Sequence, residues 1–164
     1  MEADSPRLTY LVGRLERVVR KRIAEAVRPF DLSVAQYTVL SVLRARSHLS
    51  NAQLANRAFI TPQAMNEVVQ SLEAQKLVTR RPDPSHGRIV QLKLTPRGME
   101  TLKKCDSAVR ALEKKMLASF SEEAREALRS SLALCVKALE EQDGSASSRE
   151  SRAPRTAQAS TPAR

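Results

Sequence analysis

Apolar positions in this chain follow a helical period in most segments and a period of two in one short stretch. Leu8, Leu11, Leu15, Val18, Arg22, Ala26 and Phe30 keep helical spacing, and Val12, Val19, Ile23 and Val27 widen the stripe. Ser5 followed by Pro6 reads as an N-cap and first helical position, and Pro29 predicts an end near Arg28. A second helix is expected after the capping box Ser33 and Gln36, with Tyr37, Leu40, Val42 and Leu43 on its buried side. Ser50 with Gln53 repeats the signature before a short helix carrying Leu54 and Ala55. Thr61 and Pro62 then open a helix whose core face is Met65, Val68, Val69 and Leu72.

The period changes after that helix. Leu77 to Arg81 and Ile89 to Leu94 read as strands, with Val90, Leu92 and Leu94 alternating with Ile89, Gln91 and Lys93. Between them Pro82, Asp83, Pro84, Ser85 and Gly87 make a turn-rich tip. Thr95 and Pro96 cap a long helix to about Leu117, with Leu102, Val109, Leu112 and Met116 apolar. Ser121, Glu122 and Glu123 open a last helix lined by Ala124, Leu128, Leu132, Cys135 and Leu139. From Asp143 the apolar period stops, and residues 143–164 are expected to be a disordered tail.

Short helix, tight turn, polar-faced helix and basic hairpin make up the pattern of a winged helix-turn-helix. Such a module lays one helix in the DNA major groove and a loop along the neighbouring minor groove. The expected fold class is mainly α, an α+β winged helix. Residues 33–98 would form the DNA-binding lobe, and residues 5–32 and 99–141 a helical dimerisation lobe. The flanking helices carry more apolar surface than so small a winged helix can cover, which points to a second copy of the chain.

Charge strengthens this reading. The 164 residues carry 28 Lys plus Arg against 18 Asp plus Glu, a formal charge of +10. Between Ser33 and Gly98 there are nine basic residues against three acidic, and between Arg7 and Arg28 seven against two. A concentrated excess of this sign favours a polyanionic partner. No apolar run reaches the ~20 residues of a membrane span, and MEADSPRL lacks a signal-peptide core. The only cysteines, Cys105 and Cys135, fit a reducing cytoplasm and sit on apolar helical positions, where buried structural thiols are expected. His48 and His86 are not spaced with them as metal ligands. With no phosphate loop, nucleophile elbow or metal motif, neither catalysis nor a cofactor is expected.

From about Leu32 to Gly98 the chain resembles the MarR family of bacterial transcriptional regulators. The residues that carry the likeness are LSVAQYTVLSVL, LSNAQLANRAFITPQAMNEVVQSLEAQKLVTRR and DPSHGRIVQLKLTPRG. The order of flanking helices, one before and two after, also matches. The resemblance implies a homodimer on a pseudo-palindromic DNA operator, usually a repressor, often relieved by a small aromatic or phenolic ligand. Two positions depart from the family pattern. His86 stands where the wing commonly has Asp, two residues before Arg88, leaving Asp83 as the alternative brace. Lys76 stands where Gly commonly precedes Leu-Val, so a different helix end is expected there.

Candidate DNA contacts follow. Thr61, Pro62, Gln63, Asn66 and Gln70 lie at the start or along the exposed face of the recognition helix, where Gln and Asn suit adenine and Thr suits phosphate. Arg88, after Gly87 at the wing tip, suits minor-groove insertion. Arg80, with Arg81, Lys93 and Arg97, suits phosphates. Tyr10, Arg14 and Tyr37 are candidate contacts for an aromatic carboxylate between the two lobes. Competing readings are a non-specific architectural DNA-binding protein, a module that turns its winged helix toward protein partners, and a thiol-based redox-sensing regulator.

Overall fold

A computed structural model describes residues 5–46, 49, 51–82 and 90–150, with side chains through 141 except those of Pro82 and Val90. The expected Ser50 cap, the wing tip with Asp83, His86 and Arg88, and residues 151–164 lie outside this set. The chain divides into two compact units, Met1–Met116 and Leu117–Arg164. The first holds α1 (Leu8–Val27), a 3-10 turn (Arg28–Phe30), α2 (Val34–Ala45), α3 (Asn51–Arg57), α4 (Pro62–Ala74), β1 (Val78–Pro82), β2 (Val90–Leu94) and α5 (Pro96–Met116). The second holds α6 (Glu122–Glu150).

The local signals explain most helix starts. Ser33 Oγ accepts from Gln36 N at 3.2 Å, and Ser33 N donates to Gln36 Oε1 at 2.7 Å, a complete capping box. Gln36 Nε2 also donates to Ser71 Oγ at 2.9 Å, so this buried amide ties α2 to α4. Thr61 Oγ1 accepts from Ala64 N at 3.1 Å with Pro62 in the first position of α4. Helix α1 differs from expectation. Its N-cap is Arg7, not Ser5, because the Arg7 carbonyl takes the first helical bonds from Tyr10 N and Leu11 N. The 3-10 turn around Pro29 ends it close to the expected place.

The core gathers Val39, Leu40 and Leu43 of α2, Leu54 and Ala55 of α3, Met65, Val69 and Leu72 of α4, and Leu102 and Cys105 of α5. Only the last turn of α1 joins it, through buried Val27 and half-buried Ile23. Leu8, Leu11, Val12, Leu15 and Val18 stand exposed. On α6, Leu132, Leu134, Val136 and Leu139 are likewise exposed. So is Cys135, against the expectation of burial, because it shares a helix face that the single chain leaves uncovered. Helix α6 also runs past Asp143 to Glu150, where a disordered tail was expected from residue 143. The extension is a continuation of an already nucleated helix, to which each further residue adds one backbone bond, although Gly144 and the serines are weak helix formers.

The two strands pair antiparallel, with Val78 opposite Leu94, Arg80 opposite Leu92 and Pro82 opposite Val90. Gln91 is buried beside Leu92, so the simple inside-outside alternation fails here. Strand β2 packs against α2 and α5 as well as pairing with β1.

Both ends of the helix-turn-helix close in the left-handed region without glycine. After α4, Lys76 has φ 59°, Lys76 N bonds Glu73 O at 2.8 Å, and Leu77 N bonds Leu72 O at 2.9 Å. After α3, Phe59 has φ 54°, with Phe59 N on Asn56 O at 3.2 Å and Ile60 N on Ala55 O at 3.1 Å. Both are Schellman ends. The Lys76 departure therefore does not change the helix end; the lysine adopts the conformation a glycine would. Lys76→Gly is expected to raise stability by about 1 kcal/mol by relieving the left-handed strain. A urea midpoint at or below the parent's would contradict that expectation.

Candidate nucleic-acid interface

Helix α4 presents its outer face because its inner face is fixed. Met65, Val69 and Leu72 are fully buried, which leaves Gln63, Asn66, Glu67 and Gln70 exposed on the other side. Thr61 and Pro62 are exposed at its N-terminus, where unpaired backbone N–H groups and the helix dipole favour a phosphate. Thr61 Oγ1 caps α4 by accepting from Ala64 N, which leaves the hydroxyl proton to offer. Asn66 is not isolated on this face: Asn51 Nδ2 donates to Asn66 Oδ1 at 3.1 Å, linking α3 to α4. Glu67 is exposed on the same side of α4 and was not among the expected contacts. Its place next to Asn66, turned outward by buried Met65, was the available signal.

Arg80, a candidate phosphate contact, lies half-exposed on β1 with its Nε on Glu73 Oε1 at 2.8 Å. That ion pair joins the base of the wing to the C-terminal end of α4. Arg81, Lys93 and Arg97 are exposed on β1, β2 and the start of α5. Arg88 lies outside the described residues.

The seam from α4 to α5 is tightly built. Thr95 Oγ1 donates to Lys76 O at 2.7 Å and accepts from Gly98 N at 2.9 Å, while Thr95 N donates to Leu77 O at 3.0 Å. One threonine thus satisfies a carbonyl at the end of α4 and an open N–H at the start of α5.

The three candidate effector residues fall in two environments. Tyr10, 60% exposed, and Arg14 stand one turn apart on the open first half of α1. Tyr37 is half-buried, and its hydroxyl donates to Asp106 Oδ1 at 3.1 Å. Asp106 of α5 is buried, and Arg44 of α2 pairs with its other oxygen, with Arg110 4.0 Å away. The sequence reading did not single out Arg44 or Asp106; a lone Asp among the apolar positions of α5 was the one hint. Burial and then the Asp106 bond raise the Tyr37 pKa. Burial, followed by the Asp106 charge, raises that of Cys105. Cys105 is fully buried, unlike the accessible, acidified thiol that oxidant sensing needs.

Comparison with known proteins fits this architecture. A family model described as the MarR family matches residues 30–89. HTH-type transcriptional repressor Rv2887 of Mycobacterium tuberculosis is 36% identical over 119 residues, covering 73% of this chain and 86% of the relative. The solved structure of that MarR family protein with salicylic acid superposes at a TM-score of 0.67 with 32% identity, over 80% of this chain and 98% of the other. Its complex with DNA gives 0.66 and 30%, over 80% and 98%.

Proposed function

Because this chain belongs to the MarR family, we propose that it is a homodimeric, sequence-specific DNA-binding repressor whose hold on its operator is released by a small aromatic carboxylate. The observation that carries the DNA reading is the outer face of α4. Its polar side chains Gln63, Asn66 and Gln70 are displayed by a helix whose other side is locked into the core and whose end is tied to the wing by Glu73 and Arg80. A face so rigidly presented suits base readout rather than loose phosphate binding. In this reading Thr61, Pro62 and Arg80 hold the backbone and Arg88 enters the minor groove. The two copies engage half-sites of a pseudo-palindrome.

Dimerisation is proposed for the exposed apolar face of α1 and, separately, for that of α6. The effector reading draws support from the relative's complex with salicylic acid. In this chain the proposed contacts are Tyr10, Arg14 and Tyr37, with Arg44 as a further cation. The proposed role is regulatory rather than catalytic, and the proposed compartment is the cytoplasm. Among the described residues, no helix is long and apolar enough to cross a membrane.

The test is selection of bound sequences from random double-stranded DNA, followed by titration of Gln63→Ala on the selected operator and on scrambled DNA. Loss of one base contact corresponds to about 1–3 kcal/mol on the operator alone. Equal weakening on both DNAs would assign Gln63 to phosphate. A parent protein with no sequence preference would point to an architectural DNA binder.

A further inference from the structure

The hydrogen bond between Asn51 and Asn66 has a direction, and the direction matters for what Asn66 can read. A carboxamide has an oxygen that accepts and an NH2 that donates. To recognise adenine, an asparagine uses both ends: its oxygen takes the N6 proton while its nitrogen donates to N7. In this structure Asn51 Nδ2 points at Asn66 Oδ1 at 3.1 Å, so the oxygen of Asn66 is turned toward α3 and its NH2 is turned away. Asn51, half-buried, is the first residue of α3, and Asn66 is exposed in the middle of the outer face of α4.

We propose that Asn51 is a specificity-determining positioning residue: it fixes the Asn66 carboxamide so that the NH2, and not the oxygen, faces the DNA. This rests on the reading of α4 as the recognition helix. Asn66 then meets acceptor-rich base edges in the major groove, N7 and O6 of guanine or O4 of thymine, in place of the two-ended contact to adenine. In water such an exposed bond adds little. At a protein–DNA interface, where water is displaced, an amide turned the wrong way leaves a buried polar atom without its partner. Orientation becomes selectivity there.

The experiment uses the full chain and binding-site selection from random double-stranded DNA, with base preference scored at each position. Asn66→Ala first identifies the base pair Asn66 reads, as the position where preference is lost. The parent is expected to prefer guanine or thymine there. Asn51→Asp offers only acceptors at neutral pH, so Asn66 must turn its NH2 inward and show its oxygen to the DNA. Preference at that one base pair is expected to swing by on the order of tenfold toward cytosine or adenine, whose amino groups donate. An acid at the first position of α3 suits the helix dipole, so folding is expected to persist, as the melting curve will show. Overall weakening from the added negative charge affects all sequences alike and cancels in the base profile. Asn51→Ala is expected to flatten the preference at the same position and nowhere else.

An Asn51→Asp profile identical to the parent's overturns the proposal, as does an Asn66→Ala profile without any change. In both cases a parent that still selects a defined operator leaves the DNA-reading function standing. A parent that selects no sequence overturns that function and this inference with it.

Discussion

Gly98→Ala is expected to lower stability by about 3 kcal/mol, although alanine is the better helix former. A Cβ at position 98 would overlap the carbonyl oxygen of Leu77 and lie 2.9 Å from its carbon. Both are backbone atoms, and that oxygen is held by Thr95 N at 3.0 Å and by Thr95 Oγ1 at 3.2 Å. The neighbour therefore has nowhere to go, and α5 would have to lift from the start of β1. Gly13→Ala supplies the contrast. Nothing lies within 4 Å of a Cβ there. Helical geometry places Gly13 on the charged side of α1, with Glu16, Arg17 and Arg20. The gain expected at Gly13 is about 0.5–1 kcal/mol. Denaturant unfolding of both variants at one protein concentration decides the matter. A Gly98→Ala protein as stable as the parent would show that α5 does not need this close approach.

Replacing Leu132 and Leu139 together by glutamate is expected to give a monomer and to weaken operator binding by on the order of a hundredfold or more. Two half-sites held by one particle bind with an advantage of roughly 10²–10⁴ over one. The two leucines share a face of α6 with Cys135, and all three are exposed in the single chain. Little fold stability should be lost, since neither side chain belongs to the core of the first unit. Sedimentation of the variant measures the oligomer, and circular dichroism confirms its helices. Lys137→Ala, on the same helix, removes only a solvent-exposed pair with Glu141 and should leave the dimer intact. A variant that stays dimeric, or a monomer with parental affinity, would remove α6 from the proposed interface.

Legibility followed the range of the interaction. The Ser33 and Gln36 box and the Thr61 cap act within three residues, so the residue types alone announce them. The apolar period of α1 was equally plain. That only its last turn reaches the core was not, because periodicity gives the face and not what covers it. Asp106 has partners 62 and 69 residues away, and no local pattern marks such a pair. The left-handed ends at Phe59 and Lys76 were invisible for a different reason. Glycine is the usual sign of that conformation, and here larger residues are forced into it by the helix–turn packing. The candidate DNA face emerged as a list of polar residues. Its internal wiring, Asn51 to Asn66 and Glu73 to Arg80, needed three-dimensional placement.

The Thr95 seam ties the end of α4 to the start of α5. With Lys76 O, Leu77 O and Gly98 N all joined through one residue, a shift of the first turn of α5 pulls directly on the end of α4. Helix α5 runs from Pro96 to Met116, an arm of about 30 Å. A rotation of roughly 5° about one end of such an arm moves the other by about 2–3 Å. Two reading helices on one face of DNA must stand about one turn apart, ~34 Å, to reach successive major grooves. In the proposed dimer, a slight tilt of α5 against the second copy would be enough to take both reading helices out of pitch with the duplex without any change inside the helix-turn-helix.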